Sequence, residues 1–194
     1  MKKTRMYSDV KTWNPFLGCH YECVYCKPSF QRVIANFTKL RGSDCFGCLN
    51  YTPHEHPERL KKIPSAKTVF VFGNGDIAFA RPEFVRKAID QIKKHLERCP
   101  HKQFYFQTRQ PKCLEQYLGD FPKSNVILIT TLETNRDEGY NKVSKAPLPS
   151  KRYEEFKNLA WDRKTVTIEP LMDFDPDIFL DWILNINPET VWIG

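Results

Sequence analysis

The sequence predicts an α/β protein built on a parallel sheet, and two observations carry that expectation. From residue 64 onward, short apolar runs alternate with amphipathic stretches of helical period, the pattern of strands joined by helical crossovers. Polar residues then collect directly behind four of the apolar runs, where the carboxyl ends of parallel strands present a ligand face. At 194 residues and 41% hydrophobic, the chain is long enough to bury a core, and residues 1–194 are read as one domain.

Taken in order, a weak strand is expected near Asp9–Trp13 and a buried one at Thr68–Phe72. Pro82–Arg98 follows as a helix, with Phe84, Val85, Ala88, Ile89, Ile92 and Leu96 on one face. Gln103–Gln107 is a strand, and Pro111 opens a short helix carrying Leu114, Tyr117 and Leu118. Asn125–Thr131 is the clearest strand. A polar loop with Gly139, Pro147 and Pro149 leads to a helix over about Ser150–Ala160. Thr165–Ile168 is a strand, Asp175 and Pro176 start a helix with Ile178, Phe179, Trp182 and Ile183, and Thr190–Ile193 is the last strand. Six strands in this rhythm fit either a flat doubly wound sheet or a barrel. The final strand lacks a covering helix, which predicts C-terminal truncation or closure by another subunit. Residues 27–67 break the rhythm and read as an insertion.

Bulk properties exclude some classes. No run approaches the ~20 apolar residues of a membrane span, and the basic start Met1–Arg5 has no apolar stretch behind it to make a signal peptide. Seven clustered cysteines suit reduced, metal-binding thiols rather than a disulfide framework, so a cytoplasmic protein without membrane association is expected. The formal charge is +7, and residues 1–62 hold 11 Lys and Arg against 5 Asp and Glu. That excess favours an anionic partner, a nucleic acid or a phosphorylated metabolite, although a merely solvated basic surface fits equally well.

The chemistry centres on Cys19, Cys23 and Cys26, spaced C-x-x-x-C-x-x-C behind Gly18. Three thiolates on one tight loop select a soft metal, zinc or an iron–sulfur cluster. The spacing, with aromatic Tyr25 before the last cysteine, resembles the cluster loop of the radical S-adenosylmethionine (SAM) superfamily. Trp13-Asn14-Pro15, Phe72–Asp76 and Ile168-Glu169-Pro170 are similar to segments of uncharacterised phage and archaeal radical-SAM-like proteins. A more distant similarity is to spore photoproduct lyase, which acts on DNA. The resemblance implies a partial (β/α)6 TIM-like barrel. It also implies a [4Fe–4S] cluster on Cys19, Cys23 and Cys26 whose open iron takes SAM, and a one-electron donor such as a flavodoxin or ferredoxin. Reductive cleavage of SAM would then yield a radical that abstracts hydrogen from an unidentified substrate, with nucleic acid as one candidate.

The resemblance also assigns cofactor contacts. Gly73, Asn74, Gly75 and Asp76 resemble the Gly-Gly-Glu motif that holds the SAM amino group, with Asn in place of one Gly and the shorter Asp in place of Glu. Thr130, Thr131 and Glu133 resemble the set that meets the SAM ribose and carboxylate. Arg109 is placed to pair with that carboxylate and Glu169 to face cofactor or substrate; no catalytic residue is assigned. Separately, Cys45, Cys48, His54 and His56 have the composition of a tetrahedral zinc site. Lys142, Lys145, Lys151 and Arg152 form a basic tract suited to phosphate contacts. The alternative function is a non-catalytic zinc or iron–sulfur protein that binds nucleic acid.

Overall fold

The computed structural model describes residues 10–194, so Asp9 lies outside the described residues. Among the described residues there are eight strands: β1 (Val10–Trp13), β2 (Phe16–Leu17), β3 (His54–Glu55), β4 (Thr68–Val71), β5 (Gln103–Thr108), β6 (Val126–Thr131), β7 (Lys164–Ile168) and β8 (Thr190–Ile193). Six of them form one parallel sheet in the order β1-β4-β5-β6-β7-β8, while β2 and β3 pair antiparallel on their own. The sheet order follows the chain order and never reverses. Helices α1 (Arg32–Leu40) and α2 (Phe46–Asn50) belong to the insertion. Helices α3 (Pro82–Leu96), α4 (Pro149–Asn158) and α5 (Pro176–Ile186) connect parallel strands. Among the described residues, no helix is long and apolar enough to cross a membrane.

The elements form for local reasons. All six residues of β6, Val-Ile-Leu-Ile-Thr-Thr, are buried, as expected of a central strand covered on both faces. In β5 burial alternates instead, with Phe104, Phe106 and Thr108 inward and Gln103, Tyr105 and Gln107 partly open. Pro82 occupies the first turn of α3, where its missing N–H costs nothing. Phe84, Val85, Ala88, Ile89 and Ile92 then form the buried stripe, each large side chain contributing about 1.5–3 kcal/mol by leaving water. The short helix expected at Pro111 is a 3-10 helix over Pro111–Tyr117. Its buried residues, Pro111, Leu114 and Tyr117, recur every third position and share one face only in that tighter winding.

The two faces of the parallel sheet are filled differently. Trp13, Val69, Val71, Phe104, Phe106, Val126, Leu128, Val166 and Ile168 join residues of α3, α4 and α5 in one large core. The opposite face carries a smaller cluster, Phe70, Ile127 and Ile129 with Val10 and Tyr105, made wholly of strand residues. The insertion is anchored by β3 on β2, with Leu17 opposite His54 and Phe16 opposite Glu55. Trp13, Asn14 and Pro15 form the hub between its parts. The Trp13 indole donates to the Arg59 carbonyl (2.9 Å), the Pro15 carbonyl accepts from His56 N–H (2.6 Å), and Asn14 Oδ1 accepts from Asn74 N–H (2.9 Å).

Candidate functional site

The three-cysteine loop leaves β2 through Gly18, whose φ of +100° suits glycine. A Cβ there would lie 2.3 Å from the Thr52 carbonyl carbon and oxygen, so any larger residue would push the insertion away. Gly18 N–H donates to the Asn74 carbonyl (3.0 Å), and Asp76 N–H donates to the Gly18 carbonyl (3.2 Å). Gly75 lies directly beneath, where a Cβ would come within 2.9 Å of the Gly18 oxygen. A Cβ on Gly73 would strike the Phe70 ring at 2.6 Å. Gly75 therefore admits the cysteine loop itself to close contact, while Gly73 makes room for the Phe70 ring. On its other side the loop is clasped by residues 143–145. Val24 N–H donates to the Val143 carbonyl (2.9 Å), Lys145 N–H donates to the Tyr21 carbonyl (2.7 Å), and Cys23 Sγ meets Ser144 Oγ at 3.1 Å.

Cys19, Cys23 and Cys26 all line one cavity of about 700 Å³. Gly73, Asn74, Gly75, Asp76, Arg109 and Glu169 line it as well, so the structure brings together nine residues singled out from sequence on the loop and three strand ends. Tyr25, Phe30, Tyr51 and Gln107 are among the other residues of the wall. Sequence reasoning did not assign these four; Tyr25 alone carried a signal, as the aromatic residue before Cys26.

Thr130, Thr131 and Glu133 were expected at the cofactor, but they lie behind the cavity rather than on its lining. The Thr130 hydroxyl donates to the Thr108 carbonyl (2.9 Å) within the sheet. Thr131 Oγ1 accepts from Gln107 Nε2 (2.8 Å) and shares a hydrogen bond with Thr167 (2.9 Å), so it positions a lining residue. Glu133 is fully buried, and its carboxylate is the hub of a charged network. One oxygen takes the Arg109 guanidinium and the Tyr25 hydroxyl (2.7 Å), the other takes Arg152 Nη2 (2.8 Å), and the Tyr140 hydroxyl lies 3.3 Å from both.

Arg152 also differs from expectation. It is 0% exposed, donates to the Thr131 carbonyl (2.5 Å) and lies over the Tyr140 ring at 5.0 Å. Burial drags its guanidinium pKa down to about 10. It is an internal counter-ion and no surface phosphate contact. Of the remaining basic tract, Lys145 pairs with Glu22 (2.6 Å) and Lys151 approaches Glu155 (4.0 Å), while Lys142 is exposed.

Two arginines on one carboxylate place cationic charge beside the cavity, while Glu22, Asp76 and Glu169 place carboxylates on its lining. Arg109 faces the cavity, and its guanidinium stacks over Tyr25 at 5.5 Å. Burial, then the Asp76 carboxylate, push the Cys19 thiol above the ordinary range, and burial does the same to Cys26; Arg109 opposes both shifts. Cys19 and Cys26 are thus held protonated while unligated, and metal binding would expel those protons. Asp76 is itself committed to the fold. Its carboxylate accepts from Ala78 N–H (3.0 Å), Thr108 Oγ1 (2.6 Å) and Arg109 N–H (2.9 Å), while burial pushes its pKa up.

Cys45, Cys48, His54 and His56 also converge, with one donor atom from each within 4.8 Å of every other, and together they could hold a metal ion. Comparison with models of known families, with curated proteins and with solved structures gave no match to this chain.

Proposed function

We propose that the chain is a radical SAM enzyme, with a [4Fe–4S] cluster on Cys19, Cys23 and Cys26 and SAM in the adjoining cavity. The observation that carries this reading is the shared cavity: three thiols of one loop open onto about 700 Å³ together with Gly73–Asp76, Arg109 and Glu169. That is the size of a small-molecule site, whereas a structural zinc closes all four of its ligands around itself. Against the burial that raises them, Arg109 on the cavity wall lowers the pKa of the Cys19 and Cys26 thiols and so supports thiolate ligands at this place. Cys45 and Cys48 direct their sulfurs at His54 and His56, which argues against their recruitment as a fourth cluster ligand.

We infer that the parallel sheet is that of a partial (β/α)6 barrel, as the same reading requires. The sequential strand order favours it over a doubly wound sheet, whose order reverses at a switch point. So does the confinement of α3, α4 and α5 to the large core on one face, with the other face packed by strand residues.

When bound and reduced by an external one-electron donor, the cluster would supply the electron that splits the SAM carbon–sulfur bond into methionine and a carbon radical able to take hydrogen from substrate. The chain's own residues would bind and orient the parts. Cys19, Cys23 and Cys26 hold the metal, and the Gly73–Asp76 turn supports the loop from below. Glu169, an exposed carboxylate on the cavity wall, is the acceptor best placed for the SAM ammonium or ribose. Tyr25, Phe30 and Tyr51 narrow access to water.

Anaerobic purification, absorbance and electron paramagnetic resonance with and without SAM test the assignment. Cys19→Ala, Cys23→Ala and Cys26→Ala should each lose the cluster, because one absent thiolate leaves an iron without its ligand. Cys99→Ala, on an exposed residue, should leave the spectrum unchanged. A full SAM-responsive cluster in Cys23→Ala would overturn the reading.

A further inference from the structure

We propose that Cys45, Cys48, His54 and His56 form a second metal centre, a closed structural Zn²⁺ site that fastens α2 to β3 within the 27–67 insertion, beside the strand β2 that enters the three-cysteine loop. The inference does not rest on the cluster or on SAM.

The donors already have the spacing of one ion's shell. Cys45 Sγ lies 3.4 Å from His54 Nε2, and Cys48 Sγ lies 3.3 Å from both His54 Nε2 and His56 Nε2. Zinc–sulfur and zinc–nitrogen bonds of about 2.3 and 2.0 Å, held at tetrahedral angles, put such pairs about 3.5 Å apart. All four atoms fall within 4.8 Å, a mononuclear set. Two thiolates with two imidazoles select zinc over the oxygen-seeking ions magnesium, calcium and manganese.

The histidines are oriented for it. His54 Nδ1 lies 2.7 Å from the Thr52 carbonyl, which can only accept, so Nδ1 carries the proton and Nε2 the lone pair. His56 Nδ1 faces Glu58 Oε1 at 3.0 Å, which sets the same tautomer. Both Nε2 lone pairs therefore face each other at 2.8 Å with two sulfurs beside them. Two acceptors at that distance repel, and a cation between them turns the repulsion into ligation. A backbone carbonyl or carboxylate on the far ring nitrogen is how metal-binding histidines are held.

The backbone is shaped around the same point. Cys45 precedes the first turn of α2, and Cys48 sits in that turn. Gly47 between them has no room for a side chain, since a Cβ would lie 2.5 Å from the His54 ring. Tyr51 takes a left-handed φ of +55° to turn the chain from α2 toward β3. His54 on β3 lies opposite Leu17, and Gly18 and Cys19 follow Leu17 directly. The Tyr51 carbonyl accepts from Cys19 N–H (3.4 Å), and the Tyr51 side chain lines the 700 Å³ cavity. An ion here would fix a wall of that cavity without taking part in its chemistry.

The test is metal analysis of the whole chain purified from zinc-supplemented medium, then of chain stripped and refilled with Co²⁺ alone. About one zinc per chain is expected, with the intense visible bands of tetrahedral thiolate-bound Co²⁺. A Cys19→Ser/Cys23→Ser/Cys26→Ser triple variant should keep the zinc even if it loses all iron, which separates this site from the cluster assignment. Cys48→Ser should lose the zinc. If that variant fails to fold, His54→Cys decides, because three thiolates and one imidazole also bind zinc and should restore it. Wild-type chain with less than about a tenth of an equivalent, loss of zinc in the triple variant, or a weak octahedral Co²⁺ spectrum would each overturn the proposal.

Discussion

Two cysteine-bearing regions lie on either side of the short β2–β3 ladder, and they treat their donors in opposite ways. At Cys45, Cys48, His54 and His56 four donors close on one another within 4.8 Å, each histidine oriented by its own far-side partner. At Cys19, Cys23 and Cys26 three thiols share a cavity wall, and the balancing charge comes from elsewhere, through Arg109, Glu133 and Arg152. The closed region carries its own means of orientation. The open one borrows orientation from strand ends, from the Gly73–Asp76 turn and from residues 143–145. Ligand spacing in sequence does not separate the two; what surrounds the ligands does. Disturbing the surroundings should accordingly damage the open region far more than the closed one.

Arg152→Met is the strongest such disturbance. It leaves Glu133 with Arg109 as its one cationic partner and strips the Thr131 carbonyl of a donor. Breaking a buried, hydrogen-bonded pair costs about 3–5 kcal/mol, to be read from urea unfolding. Among folded molecules iron content should fall while zinc content holds. Arg152→Lys should recover only part of the loss, because an ammonium cannot span both partners as the planar fork does. A change under about 0.5 kcal/mol would mean that the network is not what supports the open region.

Asp76→Ala comes next. It abandons Thr108 Oγ1 and the backbone N–H groups of Ala78 and Arg109, at about 1–3 kcal/mol for buried donors left unpaired. The sequence motif suggested a cofactor contact, whereas these three hydrogen bonds describe a clamp beneath the cysteine loop. A melting temperature matching wild type, combined with weakened SAM binding, would restore the cofactor role. A lower melting temperature with proportionate loss of iron would sharpen the clamp.

A smaller change should appear on the closed side. Glu58→Gln keeps a hydrogen-bond acceptor for His56 Nδ1 but removes the charge that raises ligand basicity. Outer partners of metal-bound histidine are worth about 10- to 100-fold in affinity. Glu58 is 60% exposed, so about tenfold is expected, measured by competition with a chromophoric chelator. Iron content should not move.

The sheet was legible because its strands are short runs rich in β-branched and aromatic residues: Thr68–Val71, Val126–Thr131 and Lys164–Ile168 lie within a residue or two of their expected places. The insertion was legible as a break in that rhythm, but its internal structure was not. β3 has two residues and exists only by pairing with β2, a contact between segments some 40 residues apart that no local period encodes. The three cysteines and the Gly73–Asp76 turn were visible as motifs, yet the reason for Gly75, close approach of the cysteine loop, is a tertiary fact. Arg152 was misread as part of a basic tract. Its signal was nonetheless present, since Pro149, Arg152, Tyr153 and Phe156 fall on one helical face and are the buried residues of α4. A charge on an apolar stripe needs an internal partner, and Glu133 supplies it.

The last and smallest effect concerns the substrate. If the molecule receives a nucleic acid, phosphate contacts must come from exposed lysines near the cysteine loop, now that Arg152 is internal. Lys142 is exposed, and Lys145, 65% exposed, lies across from Glu22 on the loop itself. Each phosphate neutralised contributes about 0.7–0.9 to the slope of log affinity against log salt. Lys142→Ala should therefore flatten the slope by about one such step without altering zinc or iron content, whereas Lys61→Ala, in the exposed stretch that follows Arg59, should change it less. Filter binding with single- and double-stranded DNA and RNA across a salt series measures this. Absence of binding even at low salt would remove nucleic acid as the substrate and leave the cavity to a small metabolite, with the contrast between the open and closed regions unaffected.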